Sequence, residues 1–565
     1  MSGITAALYT AKEGLLSNLT AINVTGSNIA NVNTPGYTRL RPMFESTGTM
    51  NAASDQGQTG VRIAGIEQIF DKYLNYQIVQ QQSFVANYTA QQDLLQRVES
   101  ILNENNGGGI NDALGKFLNA WGNLSSDSSS KSKRDMVVST GENLAYVFNQ
   151  RSEELSNLQI MADDNVADAV STLNGYLTQM AKYNETIVNA EMSGDSASSL
   201  RDKRGALLND ISSILDINYV EKSDGSLYIS LATNGKALVE GFKSWELTTD
   251  RDDNSNLYNI TLKNDPTQQS INAQITGGKL AGLLEVRDTL IPSYLNELNQ
   301  TASSIINKVN ELHTSGYDQD GNTGDDFFDV SNPKMFEARY MQVNDAIASD
   351  TRKIAASATI NADGDNATAI TAINNDQMYA SLGAFSISDP TAYASGQINN
   401  IGQAYKETLT GHPITLSRGP TTADWTITDD GGYDSAKLLT ANDSSVTLDL
   451  NDDGTVDITF ALSGSWNTGD TLSFSLAKRG NTTTIDGYFN AFIANMGQDV
   501  VNASQAIDRE TTILNQQIEE REQLSGVSLD EEMVNLIKFQ MAYGAAGRMT
   551  KTISEIMDIL MNLGQ

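Results

Sequence analysis

Histidine and cysteine carry much of hydrolytic, redox and zinc chemistry, and this 565-residue chain has two of the first and none of the second. Without cysteine there is no disulfide, no thiolate nucleophile and no Cys-ligated zinc or iron–sulfur centre. Neither histidine has a nucleophile at a recognisable spacing. His313 falls at the end of a predicted helix over 290–313, where an imidazolium would suit the helix dipole, and His412 precedes Pro413 in a predicted loop. Asp449-x-Asn451-x-Asp453-Gly454 matches the first half of a calcium-binding EF-hand loop, but its twelfth position is Phe460, which offers no carboxylate. Both flanks read as strands, so an acidic hairpin turn is expected there. Asp318-x-Asp320-x-Asn322 places Thr323 where that loop needs glycine, and it too reads as a plain loop. Gly277-Gly278-Lys279 is followed by Leu280 rather than Ser or Thr, and reads as a turn entering a helix rather than a phosphate loop. The run Lys131-Ser132-Lys133-Arg134 is too short for a nucleic-acid patch and reads as a solvated helix start. The expectation is no catalytic, metal-ligating or cofactor-binding residue, and no enzyme. A glycosidase pair among the 70 carboxylates would need proximity only in space, and nothing in the sequence singles one out.

Charge narrows the partners further. With 37 Lys and Arg against 70 Asp and Glu, the formal net charge is −33, which repels phosphate backbones. Nucleic acid is therefore not an expected partner. Hydrophobic residues make up 39% of the chain and glycine adds 44 residues, enough for several small cores, and the length suggests three or four domains. No segment approaches 18 consecutive apolar residues, so no membrane span is expected. The first twenty residues have neither a basic stretch nor the unbroken apolar run of a secretory signal. Taken alone, that suggests a cytoplasmic protein, unless an export machine reads an uncleaved N-terminus.

The elements that stand out lie at the two ends. Ile4, Leu8, Ala11, Leu15, Leu19, Ile22, Gly26 and Ile29 recur at steps of four and three, the seam of a coiled coil, and predict a helix from about Ser2 to Asn31. From Met1 to Thr38 the only charged residues are Lys12 and Glu13. A helix facing bulk water normally carries more charge, so this one is expected to be crowded on more than one side. At the other end, Leu529, Met533, Leu536 and Tyr543 form one stripe, and Met549, Ile553, Ile556, Leu560 and Leu563 form another. Ser528 with Glu531 three residues later suits a capping box, and Asp530 and Glu532 add negative charge to the first turn. Two such helices at opposite ends can close a two-helix stalk, or stay incomplete until other copies surround them; the depleted charge favours the second.

The first helix is followed by Asn31-Val32-Asn33-Thr34-Pro35-Gly36-Tyr37-Thr38-Arg39. Pro35 drives Thr34 out of the helical region, and Pro35-Gly36 suits the centre of a type II turn. Tyr37 and Arg39 then follow on an extended segment as candidate contacts. The run from Ala30 to Tyr37, with Asn31, Asn33, Thr34, Pro35, Gly36 and Tyr37, resembles the N-terminal signature of bacterial flagellar rod, hook and hook-associated proteins. The segment Ser525-Gly526-Val527-Ser528-Leu529-Asp530-Glu531-Glu532-Met533, continuing through Phe539 to Tyr543 and Ile556 to Leu560, resembles the C-terminal motif of the same axial family. Length, together with Gly277 to Leu284, Arg287-Asp288, Val309 to His313 and Gly316-Tyr317-Asp318, is similar to the hook-associated branch at the hook–filament junction. The resemblance covers about residues 1–375 and 484–565.

The middle of the chain alternates in texture. Helical runs are expected over Tyr88 to Leu102, Asp135 to Asp163, Asn165 to Asn189 and Leu200 to Leu215. Strands are expected at 227–231 and 257–262, and helix again from 290 to 313. Residues 380–483 are rich in Ser, Thr, Asn, Asp and Gly, with strand patterns at 425–428, 446–450, 456–460 and 472–476. The expected fold is α+β and multidomain, in four parts. Residues 1–50 and 515–565 form a terminal coiled coil, built on Ile4, Leu8, Leu15, Leu19, Ile22 and Ile29 with Met549, Ile553, Ile556, Leu560 and Leu563. Residues 51–215, 290–375 and 484–514 form a mainly helical domain, 216–289 a β-rich domain, and 380–483 an inserted β-rich domain. The resemblance implies a structural, secreted subunit of the bacterial flagellum, exported by the flagellar type III apparatus with a chaperone on the C-terminal helix. It also implies assembly with copies of itself in a ring of helical symmetry, beside the hook protein and a second junction protein. A glycan-acting or calcium-binding module in the insertion is the rival reading.

Overall fold

The computed structural model describes residues 2–34, 36–46, 60–103, 108–194, 196–252, 255–263, 269–330, 337–360, 363–375 and 484–562, with the strands and some turns between 381 and 477. The chain opens with helix α1 (Ser2–Ala30), a hairpin of β1 (Leu40–Ser46) and β2 (Val61–Gln68), and α2 (Lys72–Leu102). Next come α3 (Ile110–Ser125), α4 (Lys131–Met192) and α5 (Ser198–Ile214). Strands β3 (Ile217–Glu221), β4 (Leu227–Leu231), β5 (Ala237–Glu240) and β6 (Lys243–Ser244) form one antiparallel sheet in that order, and β7 (Leu247–Arg251) pairs with β8 (Tyr258–Leu262). Helix α6 (Gly278–Glu285) runs through one π turn into α7 (Ile291–Ser315). Short elements follow: β9 (Phe328–Val330), α8 (Glu337–Tyr340), β10 (Met341–Val343), α9 (Asp345–Ser349) and α10 (Asp365–Thr371).

Strands β11 (Ser381–Ile387), β12 (Ala392–Ile398), β13 (Ile414–Arg418), β14 (Trp425–Asp430), β15 (Lys437–Ala441), β16 (Ser445–Asp449), β17 (Ile458–Gly464) and β18 (Thr471–Ala477) then form two antiparallel sheets, ordered β11-β18-β13-β14 and β12-β17-β16-β15. Both contribute fully buried side chains: Ile414, Leu416 and Leu472 from the first, Val446, Leu448 and Phe460 from the second. The Asn451 and Asp453 backbone and the Asp449 side chain, which decide the calcium question, lie outside the described residues, as does His412. Two long helices, α11 (Ile485–Ser525) and α12 (Leu529–Asn562), close the chain.

Helix α4 is the spine of the main core. At 1.5 Å per residue its 62 residues span about 93 Å. The sequence pattern suggested two runs separated near Asp163; the structure has one helix. Asp163 is held there by Arg287, whose Nη1 lies 2.6 Å from Asp163 Oδ1, and the same oxygen accepts the Tyr258 N–H at 2.8 Å. A poor helix former in mid-helix is thus anchored by a buried pair. Phe117 and Trp121 on α3 pack edge-on to each other and against Phe327, all fully buried.

His313 joins this cluster instead of capping a helix as a cation. It is fully buried; its Nε2 accepts the Ala355 N–H at 2.9 Å, so Nδ1 carries the proton donated to the Asp325 carbonyl. Burial holds its pKa down at about 4. The Gly277-Gly278 turn has a packing reason: Gly278 has φ of +76°, and a Cβ there would lie 2.4 Å from the Ile214 carbonyl carbon.

Candidate assembly interface

The two ends of the chain pair with each other. Gly14 faces Ala546, with 4.0 Å between the position a Cβ would take and the alanine Cβ, and Asn28 Nδ2 donates to Glu532 Oε2 at 3.1 Å. As α1 advances from 14 to 28, α12 descends from 546 to 532, so the pair is antiparallel. The β1–β2 hairpin lies alongside. Ser17 Oγ donates to the Val61 carbonyl at 3.0 Å, and the Phe44 and Phe539 rings sit 5.9 Å apart. Beyond the hairpin, α2 and α11 pack together, with Leu74 and Ile78 meeting Leu514. Asp71 caps α2 by accepting the Tyr73 and Leu74 N–H groups.

The turn after α1 folds back onto the helix. Gly36 has φ of +76°, and the Tyr37 N–H donates to the Thr34 carbonyl at 3.1 Å, closing a tight turn. Asn31 Nδ2 donates to the Ser27 carbonyl and Thr34 Oγ1 to Asn31 Oδ1, while Asn33 is exposed. Pro35 lies outside the described residues. Tyr37 donates its hydroxyl to Asn28 Oδ1 at 2.9 Å, and burial pushes that hydroxyl's pKa above its usual value. Behind the turn is a cleft of about 1080 Å³ between β2, α2, α5 and β3. There Gln68 Nε2 donates to Asp202 Oδ1 at 2.9 Å and to the Ser198 carbonyl, docking the terminal pair onto α5. Its cations are paired: Arg201 with Glu191 and Glu221, Arg204 and Lys72 with Glu221. Among the described residues no group of His, Asp and Glu could hold a metal ion, and no helix is long and apolar enough to cross a membrane.

The seam between α1 and α12 lies to one side of the apolar stripe read from the sequence. Buried on α1 are Ala11, Ser17, Ala21, Val24, Thr25 and Asn28, whereas Leu8, Leu15, Ile22 and Ile29 are half-buried and Leu19 is 41% exposed. Small residues let the two backbones approach closely, which leaves the larger side chains at the flank. On α12 Ile553 is buried, while Met549 and Ile556 point outward. The Ile4 and Leu560 side chains, and the whole of Leu563, lie outside the described residues. Asn28 and Glu532 escaped the periodicity argument because polar residues at a helix seam give no apolar signal. Asn28 is one of three asparagines on α1, with Asn18 and Asn23, and Glu532 read only as an acid in a first helical turn.

The comparisons with known proteins follow this layout. The profile of the flagella basal body rod protein matches residues 8–38, that of the flagellar basal body rod FlgEFG protein C-terminal matches 522–563, and that of the flagellar hook-associated protein FlgK helical domain matches 95–328. Flagellar hook-associated protein 1 of Bacillus subtilis is 26% identical, the match covering 98% of this chain and 97% of that protein. The proteins of the same name from Salmonella typhimurium and Escherichia coli are each 23% identical, again over 98% of this chain and 99% and 98% of theirs. Nearly the whole chain is thus similar to the flagellar hook-associated proteins. That family is structural and not a family of enzymes. The solved flagellar hook junction protein FlgK from Burkholderia pseudomallei shares the fold, with a TM-score of 0.50 at 17% identity, covering 80% of this chain and 100% of that one. Matches to rod-type profiles at both ends, with a match to the hook-associated helical domain between them, follow the order of the α+β, multidomain architecture described above.

Proposed function

We propose that this protein is a structural subunit joining hook to filament in the bacterial flagellum, exported by the flagellar type III apparatus and assembled through its terminal helices. One observation carries the assembly half of this reading. Leu529, Met533, Val534, Ile537, Met541, Met549, Ile556 and Ile559 of α12 are all exposed. At 100° per residue they fall around the whole of the helix except its seam with α1. Large apolar side chains this numerous on open helix faces mark a surface meant for a partner, and one chain covers only one side of α12. Tyr9, Leu16 and Leu19 of α1 add to the uncovered surface.

The occupants this surface suits are the terminal helices of further copies, in a ring of helical symmetry, with the hook protein on one side and a second junction protein on the other. Head-to-tail contacts between identical subunits produce such rings and tubes. Before assembly the same surface needs cover, which is the role an export chaperone on α12 would fill. The division into a terminal coiled coil, a helical domain, a β-rich domain and the inserted sheets belongs to the same proposal, with the acidic outer parts keeping subunits apart and the charge-poor N-terminal helix free to meet its neighbours.

The test is Ile537→Asp with Met541→Asp, expressed in place of the native chain. Expected are a soluble chain with an unchanged urea midpoint and cells with hooks that lack filaments. Normal filaments from the double variant would overturn the reading.

A further inference from the structure

We propose that Glu532, gripped by Arg39 and Asn28, is the register key of the terminal helix pair: the group that fixes which turn of α1 meets which turn of α12. The crossing point itself is poorly specifying. Gly14 and its neighbours Ala11 and Ala21 on one helix, and Ala546 on the other, are small, and a slide of one turn sets Thr550 opposite Gly14 with no bulky side chain to oppose it there. Into this seam the fold buries a carboxylate. Glu532 is 2% exposed, and its Oε1 accepts from Arg39 Nε at 2.8 Å and lies 2.7 Å from Arg39 Nη2, while its Oε2 accepts from Asn28 Nδ2 at 3.1 Å.

Each partner is itself fixed. Asn28 exchanges hydrogen bonds with the Leu40 backbone, donating to its carbonyl at 2.9 Å and accepting its N–H at 3.0 Å, and it also accepts the Tyr37 hydroxyl. The Arg39 N–H donates to the Ser525 carbonyl at 3.0 Å, tying the extended segment to the last residue of α11. Arg39 Nη1 reaches the exposed Glu531 at 2.8 Å. Glu532 is therefore held from the last turn of α1, the start of β1 and the joint between α11 and α12. A slide of one turn moves it about 6 Å along α1. It would then be a buried carboxylate with no partner, the costliest state available to it. Buried polar groups set register in this way in paired helices whose apolar seam does not. Glu532 acts on assembly only through the helices it aligns, so it is a positioning residue.

The cysteine-free sequence makes register directly measurable in the full chain. Gly14→Cys with Ala546→Cys places two Cβ atoms at a separation that suits a disulfide, and Gly14→Cys with Thr550→Cys reports a slide of one turn. In dilute monomer under mild oxidation, the first pair is expected to close at least about tenfold faster than the second. Glu532→Gln is expected to lower that ratio by about tenfold, the worth of one charge-assisted hydrogen bond. Glu531→Gln, changing the exposed neighbour, leaves it unchanged. Arg39→Lys, which keeps the charge and loses the fork, retains part of the preference. Near-equal rates in the unmodified background, or a ratio untouched by Glu532→Gln, would overturn the proposal. So would an equal fall in both rates, because Glu532 would then stabilise the pair without choosing its register.

Discussion

The helical domain and the terminal pair are made of the same material, long helices with few prolines, and differ in what covers them. Around α3 and α4 every large side chain that points inward meets another: Phe117, Trp121 and Phe148 are fully buried within one chain. On α12 only Glu532 and Ile553 are buried among the described residues, while eight large apolar side chains face outward. Charge is divided in the same way. The first 38 residues carry Lys12 and Glu13 alone, although the chain as a whole has a net charge of −33. The helical domain encloses its core within one chain, whereas the terminal pair leaves open the broad apolar face proposed above for assembly. Secondary structure does not reveal that difference; the outward face of each helix does.

The largest effect that can break this comparison is a truncation in the finished core. Trp121→Ala is expected to cost about 3–5 kcal/mol, read from the urea midpoint of the full chain. Ile537→Ala on the open face of α12 is expected to stay within about 0.5 kcal/mol in the same assay. Equal losses would mean that α12 is already enclosed in the monomer, and the contrast between the regions would fail.

Acid sharpens the comparison from another side. His313 is buried neutral with a pKa of about 4, below the 6.5 of a free imidazole. Between those two values the unfolded chain binds a proton that the folded chain does not, so stability falls as pH drops from about 6.5 towards 4. The full loss is about 3 kcal/mol, expected as a lower urea midpoint followed by tryptophan fluorescence, and His313→Gln should flatten the slope. Neither histidine of the chain lies in α1 or α12, so crosslinking between Gly14→Cys and Ala546→Cys should hold steady over the upper half of that window. Parallel loss of both signals would show one cooperative unit instead of two.

Much of this architecture was legible from spacing. The α1 boundaries, the strand at 227–231 and the helix beginning near 290 follow from periodicity and turn chemistry, and the tight turn at Gly36 follows from Pro-Gly. The uninterrupted α4 was not legible, because the partner that stabilises Asp163 lies 124 residues away at Arg287. The start of α2 at Lys72 was also missed, since its first turns pack on α11 near the far end of the chain. At the interface, periodicity found both helices, while the residues buried in one chain on α1 lie beside the Leu and Ile stripe instead of on it. A stripe of Leu and Ile says that something covers it, not whether the cover is the same chain or another. Glu532 read as a favourable charge in a first helical turn, and only the fold shows Arg39 and Asn28 closing on it.

Glycine supplies the smallest and most discriminating contrast. Gly282 on α6 is pressed against α2: a Cβ there would lie 2.3 Å from the Asn87 carbonyl oxygen and 3.0 Å from the Ala90 Cβ. Gly282→Ala is therefore expected to lower the urea midpoint by the equivalent of about 1–3 kcal/mol. Gly544 and Gly547 sit inside α12, where glycine costs about 1 kcal/mol relative to alanine, yet nothing lies within 4 Å of the Cβ either would carry. In the monomer, Gly544→Ala and Gly547→Ala should each stabilise α12 by about 0.5–1 kcal/mol, seen as greater helicity and slower amide exchange. If other helices approach those positions in the assembled state, the same substitutions should slow incorporation into growing structures. A double variant that is both more helical and fully competent to assemble would show that no backbone comes close there, and that the open face of α12 is covered by side chains alone.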